Sequence, residues 1–383
     1  MRIVVAMSGG VDSSVAAARL VEAGHDVIGL SMQLYDQRHG AESFGSCCSL
    51  DDLHDARRVA TALGIPHYIV NFEHEFRETV VRNFVDEYAQ GRTPIPCVHC
   101  NSTLKFAHLV DRAAGLDAAA VATGHYARVV FDEDRRRYVL RRGVDAAKDQ
   151  SYFLFGLTQD QLAHATFPVG HLTKSEVRAY ADRLQLAVAR KPDSHEICFI
   201  PNGRTADFVE AEMLRSREGS DLRKTDAEDL RSPEASASGR HPDEGDIVDS
   251  AGTVIGRHHG LHRFTVGQRK GIGVTKPQPL YVLRLDPADR RVVVGSKQEL
   301  GARDLQATGV NWIAGVPPAG PTRVTARIRH RHADAPATVI SDGDGLASLV
   351  FDEPQLAIAP GQAVVFYDGD DVLGGGWIAN RAR

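Results

Sequence analysis

The sequence has no apolar run approaching the roughly 20 residues that a bilayer span requires, so no membrane partner is expected. Its start, Met1-Arg2-Ile3-Val4-Val5-Ala6-Met7, meets Ser-Gly-Gly at once and has neither the length nor the cleavage site of a signal peptide. Cysteine is scarce, with five in 383 residues: Cys47, Cys48, Cys97, Cys100 and Cys198. An odd, small number argues against a disulfide framework and for reduced cytoplasmic thiols with catalytic or metal-binding work. Positive charge is not in excess either, with 45 Lys and Arg against 50 Asp and Glu. The formal net charge of −5 gives no hint of nucleic acid, and any such partner must be argued from local patches.

What is present is ordinary globular composition, 43% hydrophobic and 25% charged, in a chain too long for one core. Up to about residue 200, strand and helix patterns alternate. Ile3 to Met7 reads as a buried strand, Ser13 to Ala23 as a helix closed by Gly24, and Asp26 to Leu34 as the next strand. Asp51 to Leu63 is amphipathic and ends at Gly64, and a strand follows over Ile65 to Val70. Further helices are expected near 75–89 and 101–114, then a small strand at 117–122. Thr173 and Glu176 have capping-box spacing ahead of another helix. This alternation predicts an α/β, doubly wound parallel sheet over residues 1–205. A small β-rich central module is expected over 206–280, with a disordered insertion near 215–243, and a C-terminal β-barrel over 281–383.

The strongest motif is Ser8-Gly9-Gly10-Val11-Asp12-Ser13-Ser14 between the first strand and first helix. The glycines allow a tight turn and close approach of a charged group. The helix N-terminus favours an anion, with the hydroxyls of Ser13 and Ser14 beside its amides. Asp12 makes sense there if Mg²⁺ lies between it and phosphate. The loop lacks the Gly-Lys-Ser/Thr ending of a Walker loop. A capped helix after a glycine turn is the plain alternative, and the full seven residues in this context argue against it. The motif resembles that of the ATP-pyrophosphatase (PP-loop) superfamily, whose members split ATP between its α and β phosphates and adenylate a substrate.

Three further segments narrow the resemblance. They are Gly91-Arg92-Thr93-Pro94-Ile95-Pro96-Cys97-Val98-His99-Cys100-Asn101, Ala122-Thr123-Gly124-His125-Tyr126-Ala127-Arg128 with Lys148-Asp149-Gln150-Ser151, and Lys191-Pro192-Asp193-Ser194-His195-Glu196-Ile197-Cys198-Phe199-Ile200. Together they look like the tRNA-uridine 2-sulfurtransferase family, and the likeness continues to Gly374-Gly375-Gly376. It implies an ATP site of Ala6, Met7, Ser8, Gly9, Gly10, Val11, Asp12 and Ser13, with Met32 and Gly124 near the adenosine. It implies Cys100 as nucleophile, Cys198 as persulfide carrier, and a disulfide between them after sulfur leaves. Lys148, Asp149, Gln150, Arg329 and His330 would contact tRNA at its anticodon loop. An upstream sulfur carrier or cysteine desulfurase would supply the sulfur.

The chemistry of the residues agrees. A uridine carbonyl oxygen leaves poorly unless adenylated, and a thiolate or persulfide is a competent nucleophile at neutral pH. Cys100 precedes Asn101, which reads as an N-cap and would put the thiol near a positive helix end. Many family members carry Asn and Asp where this chain has Ile95 and Cys97. The resulting Cys97, Cys100 and Cys198 set opens an alternative, three ligands to a four-iron four-sulfur cluster with one iron left open. Cys47 and Cys48 read as small hydrophobes. His258, His259 and His262 have no accompanying cysteine or carboxylate at ligand spacing. Two basic stretches suggest a phosphate track: Arg135, Arg136, Arg137, Arg141, Arg142 and Lys148, and Arg323, Arg327, Arg329 and Arg331 at alternating positions. An amide-forming adenylating synthetase and a non-enzymatic tRNA-binding or metal-storage protein are the rival readings.

Overall fold

The structure is a computed structural model that describes residues 1–34, 50–193, 197–200, 203–222 and 243–380. Cys47 and Cys48 lie outside the described residues, as do 223–242 of the expected insertion.

The first strand, Arg2–Ala6, is buried on both sides, and its alternation splits the core. Ile3 and Val5 join Val15, Val59 and Val177 on one face, while Val4 joins Ile28, Phe76 and Leu109 on the other. Five parallel strands lie in the order His67–Asn71, Asp26–Gln33, Arg2–Ala6, Ala120–Ala122, Ala165–Thr166. The chain runs outward to one side of the first strand and then returns to fill the other. The crevice outside the strand ends at that reversal is where such sheets bind ligands. The first helix, Val11–Glu22, starts there.

The capping box expected at Thr173 and Glu176 is present in both of its bonds and starts the helix Lys174–Arg183. The helix Thr205–Leu222 runs through residues 215–222, in place of the first part of the disordered insertion expected near 215–243. Its run of Ala, Glu, Met, Leu and Arg supports a helix despite the charge.

A four-stranded sheet forms the central module, ordered Tyr281–Asp286, Arg291–Gly295, Gly245–Asp249, Val254–His258. The strands from 281 to 295, expected in the barrel, pair here instead. Val282, Val292 and Val294 share a core with Ile247, Phe264 and Ile272. The barrel itself is six strands closed by pairing of Gly301–Trp312 with Asp371–Ile378. The hairpin Ala127–Asp132/Arg137–Arg142 extends the barrel's sheet through the Asp371–Arg141 register, although it comes from the N-terminal third of the chain.

Candidate active site

The loop between first strand and first helix is shaped by two close approaches. Gly9 has φ +72°, and a Cβ there would meet the Asp52 carbonyl oxygen at 2.1 Å. A Cβ on Gly124 would meet the Ser13 nitrogen at 2.5 Å, so this glycine lets the strand end pack on the loop. Gly10 precedes the helix without a side-chain cap, leaving first-turn amides for a ligand. Ser13 Oγ accepts from the Ser8 amide at 3.2 Å and donates to the Gly10 carbonyl at 3.2 Å. Ser14, expected to offer its hydroxyl to a ligand, is fully buried and donates back to the Gly10 carbonyl at 2.9 Å. A serine one turn along has its own helix carbonyl as the nearest acceptor. Met32 is buried beneath the strand ends, and Ser8 is exposed. An uncapped helix N-terminus in a glycine cradle fits an anionic phosphate chain.

Asp12 does not face the loop alone. Lys174 Nζ lies 2.7 and 2.8 Å from its two oxygens, and the Tyr126 hydroxyl donates at 2.7 Å. Burial, and then the Asp12 carboxylate, push the Tyr126 phenol far above its ordinary range. Mg²⁺ entering at Asp12 would have to displace the Lys174 ammonium. Lys174 also reaches Asp193 at 2.9 Å, and Asp193 takes Lys148 at 2.7 Å and Arg178 at 2.9 Å. Burial would raise the Asp193 carboxyl, but bonds from Lys148 and Lys174 outweigh it and bring it to about 2. Lys191 donates to the Gly9 carbonyl at 3.1 Å and pairs with Asp52 and Asp55. The sequence reading missed Lys174, Tyr126, Lys191 and Asp193 as site residues. A lysine directly after the Thr173 cap, and the Lys-Pro-Asp opening of the third motif, were the available signals.

The cysteines fall as follows. Pro96 opens a helical turn at Pro96–His99 that continues without a break into Cys100–Phe106. Asn101 is therefore inside the helix and not its N-cap, because proline at the first position sets the start five residues earlier. Its side-chain amide donates to the Phe153 carbonyl at 3.3 Å. Cys97 is exposed in the first turn, Cys100 is buried and Cys198 half-buried. Cys100 belongs to the hydrophobic cluster of Leu30, Met32 and Leu104, and Cys198 packs against that same cluster. The two cysteines, 98 positions apart in sequence, thus share one hydrophobic cluster. Among the described residues, no three His, Cys, Asp or Glu side chains are grouped to hold a metal ion.

The expected tRNA contacts separate. Asp149 is buried, taking Arg327 at 3.1 Å and the Gly143 and Ser151 amides at 3.1 Å, with Arg142 at 3.8 Å. Gln150 accepts from the Tyr126 amide at 2.9 Å, and Lys148 is held by Asp193. Arg329 is exposed, and His330 lies over Phe153 with ring centroids 4.6 Å apart. The first basic stretch is largely matched by acid. Arg135 and Arg141 meet Asp371, and Arg142 meets Asp334 at 2.6 Å while stacking on Tyr367. His258, singled out in the sequence, is held by backbone, with Nε2 at 3.1 Å from the Arg290 carbonyl.

A phosphate cradle at the switch point of a doubly wound parallel sheet, followed by two β modules, defines a PP-loop nucleotide enzyme fold. Comparison with known families matches residues 1–202 to a tRNA methyl transferase HUP domain, 238–296 to its PRC-barrel domain, and 302–378 to an aminomethyltransferase beta-barrel domain. Over its full length the chain is 50% identical to the tRNA-specific 2-thiouridylase MnmA of Acidobacterium capsulatum, covering 98% of each. It is 51% identical to that of Solibacter usitatus, again over 98% of each. With Geotalea uraniireducens the identity is 50%, over 100% of this chain and 96% of the relative. The chain belongs to the tRNA-specific 2-thiouridylase family.

Proposed function

We propose that this protein uses ATP to place sulfur on C2 of the wobble uridine in a tRNA anticodon, releasing AMP and pyrophosphate. The observation that carries this reading is the common cluster under Cys100 and Cys198, next to strand ends that lead into a phosphate cradle. The full-length relatives, tRNA-specific 2-thiouridylases, point the same way.

ATP, when bound, converts the uracil O2 into an adenylate that leaves as AMP. The chain's own residues do the rest. The first-turn amides of Val11–Glu22 and Lys174 beside Asp12 hold the phosphates. Cys198 carries a persulfide received from a sulfur-carrier protein or cysteine desulfurase. The Cys100 thiolate attacks the inner sulfur of that persulfide. A Cys100–Cys198 disulfide forms, and the released hydrosulfide attacks C2 as the C–O bond to AMP breaks. A thiol reductant then restores both cysteines. Cys97, exposed one helical turn before buried Cys100, has no part in this scheme. In the iron–sulfur alternative all three cysteines would be ligands. Among the described residues they are not grouped as a metal site.

The test is nucleoside mass spectrometry of tRNA from cells lacking the gene. Loss of 2-thiouridine, restored by the wild-type gene, supports the reading. Unchanged 2-thiouridine overturns it. Cys97→Asp with iron analysis separates the routes: retained thiolation by iron-free protein supports the persulfide, and an iron-dependent activity lost with the substitution supports the cluster.

A further inference from the structure

Among the described cysteines, Cys97 is the one that the sulfur relay above leaves unused. It stands three residues before Cys100, in the first turn of a helix that runs from Pro96–His99 through Cys100–Phe106 to Ala107–Ala114. That first turn is tight. The Val98 amide bonds the Ile95 carbonyl three residues back at 3.3 Å, and the Cys100 amide is shared between the Pro96 and Cys97 carbonyls. Bonds of this three-residue kind bring the side chains at i and i+3 into line. Helical geometry sets the Cα atoms of such a pair about 5 Å apart, inside the roughly 4.4–6.8 Å that a disulfide spans.

The two residues between the cysteines are pinned. Val98 belongs to the buried cluster of Phe106, Tyr152 and Phe155, and the His99 ring stacks on Trp377 with centroids 4.5 Å apart and planes 5° from parallel. The turn therefore shows its two thiols differently. Cys97 is exposed, while Cys100 is buried in the cluster that Cys198 also packs against. This asymmetry matters once the relay has ended in a Cys100–Cys198 disulfide. A bulky reductant does not reach the buried Cys100 sulfur. If it attacks Cys198 instead, it is left bonded to the residue that must take the next sulfur. A thiolate already inside the protein, one turn from Cys100, avoids both obstacles.

We propose that Cys97 is a resolving thiol that regenerates the sulfur carrier after each transfer. Its thiolate attacks the Cys100 sulfur of the Cys100–Cys198 disulfide. A Cys97–Cys100 bond forms, the Cys100–Cys198 bond breaks, and the electron pair leaves on Cys198 as a thiolate ready for reloading. A dithiol reductant then attacks the exposed Cys97 sulfur, and the electron pair of the Cys97–Cys100 bond leaves on Cys100. The reductant's second thiol displaces Cys97, and the reductant departs as its own disulfide. Two electrons and two protons pass from the dithiol to the cysteine pair. The inference rests on the persulfide reading above and gives the closing reduction of that reading a route.

The experiment maps the disulfide left by one turnover. The full chain, loaded with persulfide by a cysteine desulfurase, is mixed with ATP and unmodified tRNA without reductant, quenched in acid and alkylated with N-ethylmaleimide. Trypsin releases Cys97 and Cys100 together in peptide 93–105 and Cys198 in peptide 191–204. In the wild type, peptide 93–105 should be bridged internally and Cys198 alkylated. In Cys97→Ser the two peptides should stay cross-linked and alkylation of Cys198 should be lost. Cys198→Ser, which has no carrier thiol, tests the pair by itself: mild oxidation with diamide, without tRNA, should bridge peptide 93–105 internally. Thiouridine formed by wild type that ends cross-linked between Cys100 and Cys198, with Cys97 alkylated, would overturn the exchange and leave the relay standing. Absence of the internal bridge in oxidised Cys198→Ser, or an alkylated Cys198 after turnover of Cys97→Ser, would also overturn the exchange alone. No thiouridine from the wild type would overturn the functional reading and the exchange with it.

Discussion

The phosphate loop and the hairpin–barrel junction are both rich in basic side chains, and the two set them in different surroundings. Beside the loop, Lys148, Lys174 and Arg178 share the carboxylates of Asp12 and Asp193, and Lys191 takes Asp52 and Asp55, next to a helix N-terminus that has no side-chain cap. At the junction the pairs run between the hairpin and the barrel. Arg128 meets Asp370, Arg135 and Arg141 meet Asp371, and Arg142 and Arg327 both meet Asp149 and Asp334. The same residue types stand beside uncapped amides in one place and fasten two parts of the chain in the other. Their acidic partners come from positions up to 242 residues away. A basic stretch in sequence therefore identifies a phosphate track only once its acidic partners are known.

The sharpest way to break this comparison is at Asp149. Its side chain is 1% exposed between Arg142 and Arg327. Asp149→Ala leaves two poorly solvated cations with Asp334 as their remaining anion and takes the acceptor from the Gly143 and Ser151 amides, and it should cost about 3–5 kcal/mol of stability, read by chemical denaturation. A loss below about 1 kcal/mol, the worth of a surface ion pair, would mean that these arginines do not fasten the hairpin to the barrel. At the other pole, Asp12→Asn should lower tRNA-dependent pyrophosphate release about 10²- to 10³-fold, the range for losing one well-placed electrostatic group. Its melting temperature should stay close to wild type, and retained turnover would remove Asp12 from the chemistry.

Acid should act on both regions. Burial, and then Lys105, pull His125 down to about 3 from 6.5, and burial also lowers His99 and His330. These groups bind protons more readily when unfolded. Stability should therefore fall as pH drops below about 6.5 and continue to fall toward 3. Asp193, held at about 2 instead of 3.8, contributes above 3.8 and loses its contribution between those values. Denaturation midpoints measured from pH 7.5 to 4 should decline throughout; a flat profile contradicts the buried neutral histidines. The smallest effects separate fastening from recruiting on the barrel. Arg329→Ala should weaken tRNA binding and reduce its salt slope by about 1. Arg323→Ala breaks an exposed pair with Asp352 and should leave the denaturation midpoint close to wild type.

The phosphate loop was legible because its parts are contiguous, Ser8 to Ser14 between a strand and a helix. The alternating pattern likewise carried the parallel sheet, and the Thr173–Glu176 spacing carried a helix start. What could not be read is what folding assembles from a distance. Lys174 reaches Asp12 across 162 residues and Lys191 reaches Gly9 across 182. Neither lysine looks different in sequence from a solvated one. Asp149 illustrates the converse. The family resemblance implies a tRNA contact there, and the carboxylate bonds Arg327 and the Gly143 and Ser151 amides inside the protein. The hairpin at 127–142 has the pattern of a strand pair wherever it docks, and only the Asp371–Arg141 register places it on the barrel. Asn101 has the residue type of a cap, but Pro96 starts the helix before it.

The central claim, that Cys100 and Cys198 pass sulfur to an ATP-activated tRNA uridine, is tested most directly by single-turnover thiolation. The full chain is loaded with persulfide by a cysteine desulfurase and mixed with unmodified tRNA, and 2-thiouridine is quantified by mass spectrometry with and without ATP. The account predicts product from the wild type with ATP, and none without ATP, from Cys198→Ser or from Cys100→Ser. Thiouridine formed without ATP, or by either cysteine variant, would contradict it.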